Sequence, residues 1–125
     1  MQCLVDVPEE VVRWLAEHVV ARAFVAGDTL IVEGSLERDC YFIVAGETEV
    51  RAGGSVMGRS GPGEPEGEMA MFFRRPRGAT TTALGPVETL VLASTDFDTL
   101  ASEQPAAAAA LQAGVLEHLA RRFSR

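Results

Sequence analysis

Apolar positions near the start of the chain recur at helical spacing, with Val12, Leu15, Ala16 and Val19 on one face. Asp6 as a cap, Pro8 in the first turn and Glu9 three residues after the cap predict a helix over about residues 7–19. From about residue 20 the pattern becomes a series of short β-prone runs. Breaks fall at Gly27-Asp28, Gly34, Gly46, Gly53-Gly54 and Gly61-Pro62-Gly63. Turn signals at this density predict an all-β barrel or sandwich. The Gly-Gly pair between "ETEVRA" and "SVMGRS" predicts a tight hairpin. "GEMAMFF" reads as a short helical interruption, after which "GATTTAL" and "VETLVLAS" return to strand. The helical period then resumes. Pro105 divides residues 95–123 or so into two helices, because proline opens a helix but does not sit inside one. Leu111, Val115, Leu119 and Phe123 form a stripe on the second, and the run Ala106–Ala110 is helix rather than linker.

These elements sum to an α+β arrangement in one domain, residues 1–125. An eight-stranded antiparallel jelly-roll-like β-barrel spans about 20–94, with an N-terminal helix, a short internal helix and C-terminal helices around it.

Composition narrows the function. The chain carries eleven basic residues against eighteen acids, net charge −7, so direct binding to nucleic acid is not expected. No apolar run is long enough to cross a bilayer and no secretory signal is apparent, which makes cytoplasmic the expected location. Cys3 and Cys40 make no disulfide framework, and Cys40 within "CYFIV" reads as a small core residue. All eleven cations are arginine, so Schiff-base chemistry and the P-loop lysine are excluded. His18 and His118 lie in separate terminal helical regions, a poor basis for a metal centre. "GGSVMG" misses the G-x-S-x-G spacing, and "GPGEPEG" fits neither the dinucleotide fingerprint nor the P-loop. No catalytic constellation emerges, and a non-enzymatic chain without cofactor or metal is the expectation.

One stretch carries chemistry: "EGEMAMFFRRPRGATT". Gly67 and Glu68 precede a short helix, and Arg77 follows it nine residues after the glutamate. A ribose cyclic phosphate needs close backbone approach, which glycine permits, and a helix N-terminus suits its negative charge. A guanidinium fork suits its phosphate oxygens, and a carboxylate can accept the ribose 2′-hydroxyl hydrogen bond. Pro76 biases Arg75 towards an extended exit, which lets Glu68 and Arg77 approach one pocket from opposite sides. Arg74 and Arg75 read as solvated loop charges.

The stretch resembles the phosphate-binding cassette of cyclic nucleotide-binding domains, which runs roughly F-G-E-L-A-L-L, three spacers, P-R-A-A-T/S. Such domains occur in catabolite activator-type regulators, cyclic-AMP-dependent kinase regulatory subunits and cyclic-nucleotide-gated channels. "AFVAGDTLIVEGSLERDCYFIVAGETEV" resembles the family's opening strands, and "DFDTLASEQP" with the last helix its C-terminal segments. The cassette then spans about 63–82. The resemblance implies that Gly67 donates its backbone N–H, Glu68 takes the ribose hydroxyl and Arg77 grips the phosphate. Met69, Gly78, Ala79 and Thr80 complete the site. It implies a regulatory sensor for cyclic AMP, with cyclic GMP second because Gly78 lacks the hydroxyl that cyclic-GMP-selective members often place there. Binding would be passed through the C-terminal helix to an effector module in the same or another chain.

Two departures stand out. Glu66 occupies a position the family usually makes apolar, where an acid should oppose an anionic ligand unless it points to solvent. Glu37 stands where a glycine is frequent. The alternative is a degenerate fold that binds no nucleotide, with Glu68 and Arg77 a structural ion pair. It would serve as a structural, oligomerisation or protein-interaction module, with the last helix's stripe receiving a partner helix, including that of a homodimer. Arg121, Arg122 and Phe123 are the candidates to cap the purine.

Overall fold

The computed structural model describes residues 1–123, with side chains through Arg122. A 3-10 turn at Gln2–Leu4 precedes α1, Glu9–His18. Asp6 does not cap this helix. Pro8 takes the N-cap position, and its carbonyl accepts the N–H groups of Val11 and Val12 at 3.0 and 3.1 Å. The Asp6 carboxylate pairs instead with Arg121.

Eight strands follow: β1 Val20–Phe24, β2 Thr29–Ile31, β3 Cys40–Ala45, β4 Thr48–Ala52, β5 Ser55–Ser60, β6 Pro65–Glu66, β7 Thr80–Ala83 and β8 Val87–Leu92. They make two antiparallel four-stranded sheets in the orders β1-β8-β3-β6 and β2-β7-β4-β5. The β4–β5 hairpin turns on Gly53 and Gly54, both at positive φ (58° and 81°), the pair that a two-residue turn of matching twist requires. The two-residue β6 is the strand that the sequence pattern did not separate from loop.

The helices α2, Glu68–Phe73, α3, Ser94–Glu103, and α4, Pro105–Phe123, complete the fold. Pro105 opens α4 as its position suggests.

β3 explains how the layers meet. Its first four residues, Cys40 to Ile43, are all buried, because both faces of the strand are covered. Tyr41 and Ile43 pack between the sheets with Phe24, Leu30, Ile31, Ala83 and Val87. Cys40 and Phe42 point the other way, into a core shared with α1, α2, α3 and α4. Leu111 and Val115 of α4 are fully buried in that second core. The stripe is therefore used within the chain over those two residues, not held open for a partner helix. Phe123, at its far end, has a side chain outside the described residues.

Candidate functional site

β6 ends at Glu66, the chain turns at Gly67 and α2 begins at Glu68. Gly67 has φ 81°, a left-handed conformation that side chains resist. A Cβ there would also lie 2.3 Å from Nη1 of Arg77. Glycine is thus required for the turn and for the arginine beside it.

A cleft of about 290 Å³ opens where α2 begins, between the 75–79 segment and Ile31, Val50 and Thr81 of the second sheet. Gly67, Glu68, Met69, Arg77, Gly78 and Ala79 all line it. Thr80 is not among the lining residues. Its hydroxyl accepts the Glu33 N–H at 2.9 Å, and Thr81 faces the cleft instead. The alternation of β7 accounts for the difference, since Thr81 and Ala83 are its buried positions.

Arg77 is the centre of the site. Its side chain is 1% exposed, yet its counter-ion is not Glu68. Nη2 donates to Glu37 at 2.5 Å and to the Asp39 carbonyl at 2.6 Å, while Nη1 donates to the Gly67 carbonyl at 3.0 Å. Nε–H is buried without a protein partner. The backbone is clamped as well: Arg77 N–H donates to the Ser35 carbonyl, and Gly34 N–H donates to the Arg77 carbonyl, both at 2.8 Å. The 32–39 loop thus wraps Arg77. The sequence marked Glu37 only as replacing a frequent glycine, and nothing local signals its pairing across forty residues.

That loop is also fastened to helices. Arg38 pairs with Asp98 of α3 at 2.7 Å and donates to the Met71 carbonyl of α2 at 3.3 Å. Asp39 accepts the Ser94 N–H at the start of α3, at 2.8 Å.

Two carboxylates share the cleft. Burial pushes the partly buried Glu68 up to about 7, with Glu66 adding to the rise and its own backbone N–H, Arg77 and Arg122 opposing it. Glu66 does not point to solvent. It is 7% exposed and reaches from the first sheet to the second, accepting the hydroxyls of Thr48 at 3.2 Å and Thr81 at 3.4 Å. Burial raises its pKa, while the hydroxyls of Ser60, Thr48 and Thr81 lower it and Glu64 raises it further. A buried carboxylate is tolerated here because hydroxyl donors replace its water.

The other sequence candidates lie elsewhere. Arg74 is 68% exposed and pairs with Asp98 at 3.3 Å, whereas Arg75 stands at the cleft rim. Arg121 pairs with Asp6 and Arg122 with Glu64, and both border a different cavity, beside Gln2 and His118. The Phe123 side chain lies outside the described residues.

The family model for the cyclic nucleotide-binding domain matches residues 21–104. The chain is 31% identical over 113 residues to the Pycsar effector protein XpPycTIR of Xanthomonas perforans, covering 86% of this chain and 37% of that protein. It is 35% identical over 97 residues to a cyclic nucleotide-gated potassium channel of Mesorhizobium japonicum, covering 78% and 27% respectively. The chain therefore spans well under half the length of these relatives. Among solved structures, a cyclic nucleotide-binding domain from Methylobacillus flagellatus superposes with a TM-score of 0.79 at 26% identity, covering 93% of this chain and 68% of that one. With the family model matched over two thirds of its length, this chain belongs to the cyclic nucleotide-binding domain family.

Proposed function

We propose that the chain is a regulatory sensor that binds a cyclic nucleotide, cyclic AMP in preference to cyclic GMP, and transmits binding to an effector module. The observation that carries this reading is Arg77, a desolvated guanidinium in the cleft with an unpartnered Nε–H. A fully buried donor fork with spare capacity suits an incoming anion with paired oxygens. Gly67 makes room for it, Glu68 stands beside it as the acceptor for a ribose hydroxyl, and Met69, Gly78 and Ala79 form the remaining wall. Thr80 enters only indirectly, by fixing the loop at Glu33.

The relatives carry such domains in longer proteins, one an effector and one a channel, which supports an attached or partner module here. Transmission would run from the 32–39 loop into α3 through Arg38–Asp98 and Asp39–Ser94, and from α3 into the C-terminal helix. A ligand acts on that route only by favouring one arrangement over the other.

A second reading has its own support. Glu37 already neutralises Arg77 and Glu66 adds a buried acid to the cleft, as in a fold that has given up its nucleotide and serves as a structural or interaction module.

Thermal unfolding with and without cyclic AMP separates the two, with cyclic GMP and Arg77→Ala as controls. Ligand at about 100 times its dissociation constant stabilises by about 2.7 kcal/mol, a rise on the order of 10 °C at this length. A rise abolished in Arg77→Ala supports the sensor. An unchanged midpoint at millimolar nucleotide favours the module.

A further inference from the structure

We infer that Glu37 is an internal counter-ion standing in the ligand's place on Arg77, and that it sets the affinity of the cleft because an incoming phosphodiester has to displace it. This inference rests on the cyclic nucleotide reading above and concerns the same site.

The pair is asymmetric. The Arg77 side chain is 1% exposed, whereas that of Glu37 is 44% exposed. A guanidinium held away from water needs an anion beside it, and leaving it alone carries the full cost of a buried, uncompensated charge. Glu37 can swing into water with little loss, but Arg77 cannot. The cation therefore waits for whichever anion is available, and in the free chain that anion is Glu37.

The attachments of Glu37 suit a removable group. It sits in the 32–39 stretch, which has no helix or strand, beside the exposed Leu36. Besides Arg77, its carboxylate accepts the N–H of Asp39, two residues along, at 2.7 Å. Arg77 itself is held independently of Glu37 by the carbonyls of Gly67 and Asp39 and by its backbone bonds to Gly34 and Ser35. The guanidinium thus keeps its place when Glu37 leaves.

Joint occupancy is disfavoured. A guanidinium has five N–H donors, and the protein takes three of them here. Donors remain for a phosphate, Nε–H among them, but charge does not. Glu66 and Glu68 already line the cleft. Keeping Glu37 as well would place a phosphodiester and a carboxylate against one cation. Like charges this close in a partly desolvated site repel strongly. The apparent affinity is then the intrinsic affinity multiplied by the fraction of chains in which Glu37 has let go.

The test is calorimetric titration of the whole chain and of Glu37→Gln, Glu37→Ala and Arg77→Ala with each of the four 3′,5′-cyclic ribonucleotides. Glu37→Gln keeps the side chain's shape and one acceptor for Arg77 while removing the competing charge. It therefore decides the matter even if Glu37→Ala folds poorly. The expected result is binding tighter by about tenfold in Glu37→Gln, equivalent to about 1.4 kcal/mol, with none in Arg77→Ala. Damage to the fold would weaken binding, so tightening is a signature that a purely structural role does not produce. Binding seen only after Glu37 is changed would also support the inference. Equal or weaker binding in Glu37→Gln, with wild type still binding, overturns it and leaves the cyclic nucleotide reading standing. Binding by none of the proteins removes both, because freeing Arg77 would then have opened no site.

Discussion

Glu68 shows how position alone sets the chemistry of a side chain. Burial raises its pKa from 4.5 in the unfolded chain to about 7, so the folded state holds an extra proton across that interval. This favourable contribution is complete below about pH 4.5 and is lost as pH rises through about 7. Wild type should therefore lose stability between pH 4 and pH 8 relative to Glu68→Gln, by on the order of 3 kcal/mol. Urea unfolding at a series of pH values measures it, and parallel curves for the two proteins would show that Glu68 keeps an ordinary pKa. The sequence marked the residue as a candidate site carboxylate, and it lines the cleft. Its protonation was not legible there, because it depends first on burial, and then on Arg77 and Arg122, which the fold brings to it. Glu66 teaches the same lesson: its position departed visibly from an apolar norm, but the hydroxyls that make it tolerable come from β4, β5 and β7.

Among the elements, α3 depends on a residue far away in the chain. Its N-cap, Ala93, has no side chain able to accept a helix N–H, and Asp39 supplies the acceptor to Ser94 from the loop before β3. Asp39→Ala should cost about 1 kcal/mol, the usual loss for a removed cap, with early exchange of the α3 amides in a hydrogen-exchange experiment. Unchanged protection of the first turn of α3 would mean that water replaces the carboxylate at no cost. The long periodic elements were legible from their patterns: α1 within two residues at each end, the glycine hairpin, and the break at Pro105. The Asp6 cap and the two-residue β6 were not. A cap is decided by which acceptor reaches the free N–H groups, and Asp6 is taken by Arg121 from the other end of the chain.

For the whole molecule, the two cores divide the labour. One holds the sheets together, while the other fastens the helices to the outer face of the first sheet. Leu111 belongs to the second and is fully buried without any partner chain. Leu111→Ala should destabilise the isolated chain by about 2–5 kcal/mol in urea unfolding, as expected for a core truncation. A stripe reserved for another molecule would leave that stability nearly unchanged. Among the described residues, no helix is long and apolar enough to cross a membrane.

By itself the sequence determined the two hydrophobic periods, the turns and the glycine–glutamate–arginine order of the cassette. Each is written in neighbouring residues, and local backbone preference and side-chain spacing suffice to read it. The tertiary structure alone decided what Arg77 touches. A desolvated cation takes the nearest available anion, and that proximity was set by the 32–39 loop folding over it from forty residues away. The partner that the ion-pair alternative named, Glu68, is nine residues off in sequence. The partner found, Glu37, is at 2.5 Å.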